Sequence, residues 1–345
     1  MKTNTAAKKR ILIINVNWLG DVLFSTPFVK AVRKAYPDSH IACIVVPRCK
    51  DVIEDNPRIN EVIIYDEKGI HKGLVGKVRL IAGLRKKRFD TVFILHRSFT
   101  RALFAYLAGI KERIGYDTKN RGFFLTKKID PPTELMHKVE YFLNIAEAAG
   151  MEITDKSYEF FVRDVSRDFA KKLLSENGVS EKDKFIAINP GGNWDPKRWP
   201  RESFAELADR LMNKGYKVVI TGADKDIILG EFIRGRTTRK PVVLCGKTNI
   251  KQLAGILEKA ALVISGDSGP MHLAVSLKKP VIALFGPTSS ELTGPYGEGF
   301  YKVLWKDIGC QVPCYDVSCT DNRCMKAVTV DEVFDEAEKI LKTKT

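Results

Sequence analysis

The sequence predicts an α/β protein made of two doubly wound, parallel-sheet domains. Short apolar, β-branched runs alternate with helical patterns along the chain, which is the rhythm of βαβ units. That rhythm restarts after a helical connector at about 165–177. Turns that follow strands carry glycine in both halves, Asn17-Trp18-Leu19-Gly20-Asp21 in the first and Pro190-Gly191-Gly192 in the second. At 345 residues the chain is long enough for two hydrophobic cores.

The first strand is expected at 11–16, an unbroken apolar run of the kind buried on both faces of a parallel sheet. A helix follows the Gly20-Asp21 turn to residue 36 and closes before Pro37. Strands at 41–46 and 61–65 flank the break at Asn56-Pro57. A long helix covers 73–87, and a strand at 89–95 ends on His96-Arg97-Ser98. Residues 102–109 are helical, 113–116 form a short strand or turn, 117–133 read as a loop, and 134–149 form a helix stopped by Gly150.

In the second half, strands are expected at 185–189, 216–221, 242–245, 261–266 and 281–285. Helices fall at 204–213, 225–234, 250–259 and 271–277, and a final amphipathic helix at 330–341. The domain reading is an N-terminal domain at 1–165, a connector at 166–182, a C-terminal domain at 183–328, and a last helix within 329–345.

Composition narrows the functional classes. The hydrophobic content of 44% is ordinary for a globular protein, and no window approaches a membrane span. The basic N-terminus is followed by only a short apolar run, Ile11 to Ile14, too brief for a signal-peptide core. A cytoplasmic protein is therefore expected. The formal charge of +15 calls for anionic partners, yet no zinc-finger, aromatic RNA-binding or helix-turn-helix signature is present, so nucleic acid is not expected. Cys310, Cys314, Cys319 and Cys324 cluster without the paired C-x-x-C of common zinc sites, and reduced thiols are expected there ahead of a metal.

The most informative stretch is 261–273. An apolar strand ends at Asp267, and a Ser268-Gly269-Pro270 corner opens the helix that carries Met271 and His272. Such a corner offers backbone N–H groups, a hydroxyl and the positive end of a helix dipole, which suits a phosphate. Pro270 fits the first helical turn, where no N–H is needed. Neither half has G-x-G-x-x-G after its first strand or a P-loop, which argues against a nicotinamide dehydrogenase and a P-loop kinase.

Three separated motifs resemble the ADP-heptose:lipopolysaccharide heptosyltransferases, glycosyltransferase family 9. They are Asn17-Trp18-Leu19-Gly20-Asp21-Val22-Leu23 with Pro27, then Pro190-Gly191-Gly192 with Lys197-Arg198-Trp199-Pro200, then Asp267-Ser268-Gly269-Pro270-Met271-His272-Leu273-Ala274. Cys324-Met325 looks closer to the heptosyltransferase II branch. The resemblance spans essentially the whole chain and implies a GT-B fold, two Rossmann-like domains facing across a cleft, with the last helix crossing back to the N-terminal domain. It implies inverting transfer of heptose from an ADP-heptose donor to the anionic lipopolysaccharide inner core, with no cofactor or metal.

By the same resemblance Asp21 is the general base and Lys197 neutralises the departing diphosphate. Gly191, Gly192, Asn193 and Arg198 join Asp267, Ser268, Gly269, Pro270, Met271 and His272 around the donor. Asp224 or Asp226 follows a strand where an acid takes ribose hydroxyls, and the sequence does not choose between them. Asn249 lies near the adenine. Trp18, Gly20, His96, Arg97 and Arg101 are expected at the acceptor. An anionic glycolipid acceptor gives the basic surface a purpose, peripheral attachment to the inner leaflet. The competing readings are a GT-B transferase for another nucleotide sugar or acceptor, and a non-catalytic nucleotide-sugar-binding protein.

Overall fold

The computed structural model describes residues 8–343. The chain divides between Phe161 and Val162 into two compact units.

The first unit runs β1 (Arg10–Ile14), α1 (Leu19–Phe24), α2 (Thr26–Ala35), β2 (His40–Val45), α3 (Lys50–Ile53), β3 (Glu61–Ile64), α4 (Gly73–Lys86), β4 (Thr91–Ile94), α5 (Phe99–Leu107), β5 (Glu112–Tyr116), β6 (Lys127–Ile129) and α6 (Lys138–Ala148). Its six strands are ordered β3-β2-β1-β4-β5-β6, and every pair is parallel. Ile11 through Ile14 are buried, as a strand covered on both faces requires.

The single helix expected after Asp21 is two helices. Pro27 has no N–H for the carbonyl of Leu23, so the Thr26 hydroxyl donates to that oxygen at 2.8 Å and the helix restarts. The segment expected to be loop, 117–133, contains β6, which adds to the sheet edge beside β5.

The second unit runs α7 (Asp164–Glu176), β7 (Phe185–Asn189), α8 (Arg201–Asn213), β8 (Lys217–Ile220), α9 (Ile227–Arg236), β9 (Val242–Val243), α10 (Ile250–Lys259), β10 (Leu262–Gly266), α11 (Gly269–Ser276), β11 (Val281–Leu284), α12 (Ser290–Thr293), β12 (Tyr301–Leu304), α13 (Arg323–Lys326) and α14 (Val330–Thr343). Its parallel strands are ordered β12-β11-β10-β7-β8-β9. β12 was not anticipated, because its Tyr-Lys-Val-Leu run is short and only half-buried.

The final helix was expected to cross back to the N-terminal domain. Its buried stripe, Val333, Ala337, Ile340 and Leu341, joins the second unit's own core beside α8, β10 and β11. The supposed connector likewise holds α7, which packs on α10 within the second unit.

Candidate active site

Each sheet has one point where the strand order reverses, and loops leaving neighbouring strands diverge there to open a crevice at the carboxyl ends. In the first sheet it lies between β1 and β4, and in the second between β7 and β10. The segments singled out from sequence follow these four strands: Asn17 to Asp21 after β1, His96-Arg97 after β4, Pro190 to Lys197 after β7, and Asp267 to Gly269 after β10.

In the first unit the β1 loop is pinned from beneath. Buried Asn15 donates from Nδ2 to Ser25 Oγ at 2.8 Å, and its Oδ1 accepts the N–H of Val16 at 2.8 Å. The Asn17 carbonyl accepts from Arg48 Nε at 2.8 Å, and the Arg48 guanidinium lies 4.1 Å over the exposed Trp18 ring. Gly20 and Asp21, both half-buried, sit in the first turn of α1.

The acceptor candidates do not behave alike. Arg97 is exposed. Arg101, expected as an open cation, is buried. Its guanidinium lies 3.9 Å over the Tyr65 ring, donates to Asn17 Oδ1 at 3.2 Å, and pairs with Glu67 at 3.5 Å. It therefore braces the Asn17 loop. His96, expected as a basic contact, is held neutral at pH 7, because burial and then the charges of Arg101, Arg121 and Lys119 push its pKa down to about 4.

Sequence reasoning missed Arg121, which had no pattern to mark it inside a supposed loop. It is fully buried, donates from Nε to the Tyr116 carbonyl at 2.7 Å and from Nη1 to the His96 carbonyl, and its Nη2 has no hydrogen-bond partner among the described residues. Burial pulls its pKa down to about 10, so it remains charged at neutral pH.

The second unit builds a buried ionic trio. Lys197 Nζ lies 2.5 Å from Asp267 Oδ2, and His272 Nε2 lies 3.6 Å from Asp267 Oδ1. Burial pushes the Asp267 carboxyl up, but the hydrogen bond from His272 and the Lys197 charge outweigh it and hold the pKa at about 2. Asp267 immediately precedes α11, whose N-cap residue Ser268 makes no capping bond. The Ser268 hydroxyl instead meets Ser265 Oγ at 2.9 Å. The first amides of α11, from Gly269 onward, are thus left without a side-chain cap. The Met271 side chain is packed in the core and is not offered to a ligand.

The β7 loop approaches from the other side. Arg198 Nη2 donates to the Gly192 carbonyl at 3.0 Å, as does Lys225 Nζ at 3.0 Å. Arg198 Nη1 pairs with Asp195 at 2.8 Å, while its Nε is buried without a partner among the described residues. Asn193 is exposed on the same loop. Trp199 is anchored below, donating from Nε1 to the Val328 carbonyl at 2.8 Å.

The structure separates the two acids that sequence left level. Asp226 is buried, and its Oδ2 accepts the N–H of Ala223 at 3.0 Å. A Cβ at Gly191 would lie 2.6 Å from that same oxygen, so only glycine lets the β7 loop pass. Asp224 is exposed and carries the open carboxylate. Asn249 caps a helix: its Oδ1 accepts the N–H of Gln252 at 2.9 Å and its own N–H donates to Gln252 Oε1 at 3.0 Å, a reciprocal cap on α10. Its side chain serves the helix.

The four clustered thiols are free. They line one cavity of about 50 Å³ with Gly286, Pro287 and Trp305. Among the described residues no group of three or more His, Cys, Asp or Glu side chains is gathered as a metal ion would require.

Comparison with known proteins adds to this geometry. The family model described as glycosyltransferase family 9 (heptosyltransferase) matches residues 77–323. Lipopolysaccharide heptosyltransferase 2 of Salmonella typhimurium is 28% identical over 296 residues, which cover 83% of this chain and 85% of that protein. Lipopolysaccharide heptosyltransferase 3 of Escherichia coli K12 is 28% identical across 93% of this chain and 95% of its own. A family 9 glycosyl transferase from Veillonella parvula superposes with a TM-score of 0.89 at 29% identity, covering 97% of this chain and 98% of that one.

Proposed function

Because the chain belongs to glycosyltransferase family 9, the heptosyltransferases, we propose that it moves a heptose from ADP-heptose onto the inner core of lipopolysaccharide, inverting the anomeric centre. The observation that carries this reading is the Lys197–Asp267–His272 trio ahead of the uncapped start of α11. That sets a fixed ammonium beside a helix start that has no side-chain cap, an arrangement suited to a diphosphate.

In the proposed reaction the Asp21 carboxylate takes the proton of an acceptor hydroxyl as that oxygen attacks the anomeric carbon. The bond from this carbon to the diphosphate breaks, and ADP leaves with the bonding pair. Lys197, with the α11 amides of Gly269 and Met271, the His272 side chain and the Ser268 hydroxyl, stabilises the charge gathering on the leaving group. Pre-positioned groups of this kind are often the largest catalytic contribution. Asp267 stays ionised, fixes the Lys197 ammonium and the His272 ring, and keeps acceptor capacity for a donor-sugar hydroxyl.

The loop of Gly191, Gly192 and Asn193, with Arg198, closes over the diphosphate, and Asp224 takes the ribose hydroxyls. On the first unit Trp18, Gly20 and Arg97 meet the acceptor. Arg121 supplies a buried positive charge beside neutral His96, which serves as a hydrogen-bonding group. The protein works on the cytoplasmic side, where an ADP-sugar is available.

Transfer assays test this directly. The protein is given ADP-heptose and lipopolysaccharide acceptors truncated at successive core sugars, with UDP- and GDP-sugars in parallel. Product from ADP-heptose, with inverted configuration at the new linkage, is expected. Product only from another nucleotide sugar would overturn the reading.

A further inference from the structure

Helix α4 is apolar on two opposite sides. Gly76, Leu80 and Leu84 are buried in the first unit. Leu74, Val78 and Ala82 stand two positions away from these, about 200° around a helix, and all three are exposed. With Val75 and, in the preceding turn, Ile70, they form an outward apolar stripe. Leu74 is 77%, Val75 73%, Val78 55% and Ile70 70% accessible. Four large aliphatic side chains standing so far into water, three on one helix and one in the turn before it, mark an interaction surface.

The charges around the stripe identify its partner. Lys77 and Arg79 lie about 100° to either side of Val78, and Arg85 and Lys86 extend the same face toward the helix end. From Lys68 to Phe89 the chain carries eight Lys or Arg and no Asp or Glu. Lys87 is paired with Glu61, but Lys72, Lys77, Arg79, Arg85 and Lys86 take part in no ion pair among the described residues. An apolar stripe bordered by unpaired cations, on a helix that itself carries no acid, is the pattern of a helix lying in the plane of an anionic bilayer. The aliphatic side chains enter the acyl boundary, and the long cationic stems reach back to the headgroups.

We propose that α4 is the docking surface of this protein on an anionic lipid bilayer. Its purpose rests on the glycolipid acceptor proposed above; its chemistry does not.

Co-flotation with phosphatidylcholine vesicles, with and without phosphatidylglycerol, tests this on the full chain. Wild type should float with the anionic vesicles only and be released by high salt. Leu74→Glu/Val75→Glu should abolish flotation, and Arg79→Glu/Lys86→Glu should weaken it by more than about tenfold. Both pairs lie outside the core, so melting temperature and transfer to a water-soluble core oligosaccharide should stay at wild-type level. Undiminished flotation of both variants would overturn the proposal. So would a wild type that binds no vesicles but sediments as a dimer split by Leu74→Glu/Val75→Glu, since the stripe would then cover a second copy. Failure of transfer to the soluble oligosaccharide by wild type would instead count against the proposed reaction and leave the docking result standing.

Discussion

At the scale of single residues, the ionic trio is the feature whose loss should be felt twice. Lys197→Ala removes the cation beside the leaving group and should lower kcat by about 10²–10³-fold. It also leaves a buried carboxylate with only His272 for company, and breaking such a pair typically costs about 3–5 kcal/mol. Lys197→Ala/Asp267→Ala should therefore recover melting temperature without recovering turnover, which a double-mutant cycle read by calorimetry and kinetics checks. His96 sets a pH signature. Its imidazole titrates near 6.5 when unfolded and at about 4 when folded, so acidification protonates the unfolded chain first. The stability contribution is whole above 6.5 and is lost as pH falls from 6.5 to 4. Denaturant unfolding across that window should show a slope near one proton that His96→Gln flattens; an unchanged slope in the variant would place the effect elsewhere. Asp21, Lys197 and Asp267 stand out in the sequence because each sits in a compact motif at a strand end. The internal use of Arg101 and Asp226 does not, since their partners Tyr65, Glu67 and Ala223 come from other loops or show no pattern of their own.

At the scale of elements, strands with continuous apolar runs were read correctly because burial on both faces leaves no other composition. β6 and β12 escaped because edge strands need only partial cover, and their Lys-Lys-Ile and Tyr-Lys-Val-Leu runs look like loop. The split between α1 and α2 was hidden for a different reason. Thr26 repairs the carbonyl that Pro27 leaves open, and only the folded chain shows that repair. Asn249 caps α10 through its side chain. Asn249→Ala should cost about 1 kcal/mol as a lost cap while leaving ADP affinity within about twofold. Thermal unfolding with parallel ADP titration checks this, and a tenfold loss of affinity would return the side chain to the nucleotide.

At the scale of the molecule, the two-domain α/β plan was legible in the restarting strand–helix rhythm, whereas the allegiance of the last helix was not. An amphipathic stripe says that α14 must be buried but not against what, and Val333, Ala337, Ile340 and Leu341 turn out to complete the second unit's core. The first unit carries Asp21 and the second carries the Lys197–Asp267–His272 trio, so base catalysis and donor binding should be separable by mutation. The most direct measurement is transfer from ADP-heptose by Asp21→Asn beside wild type, with ADP-heptose affinity measured on the same preparations. Loss of a general base should cut turnover by about 10²–10⁴-fold, with donor affinity and melting temperature unchanged. Turnover at the wild-type level in a folded Asp21→Asn protein would contradict the account.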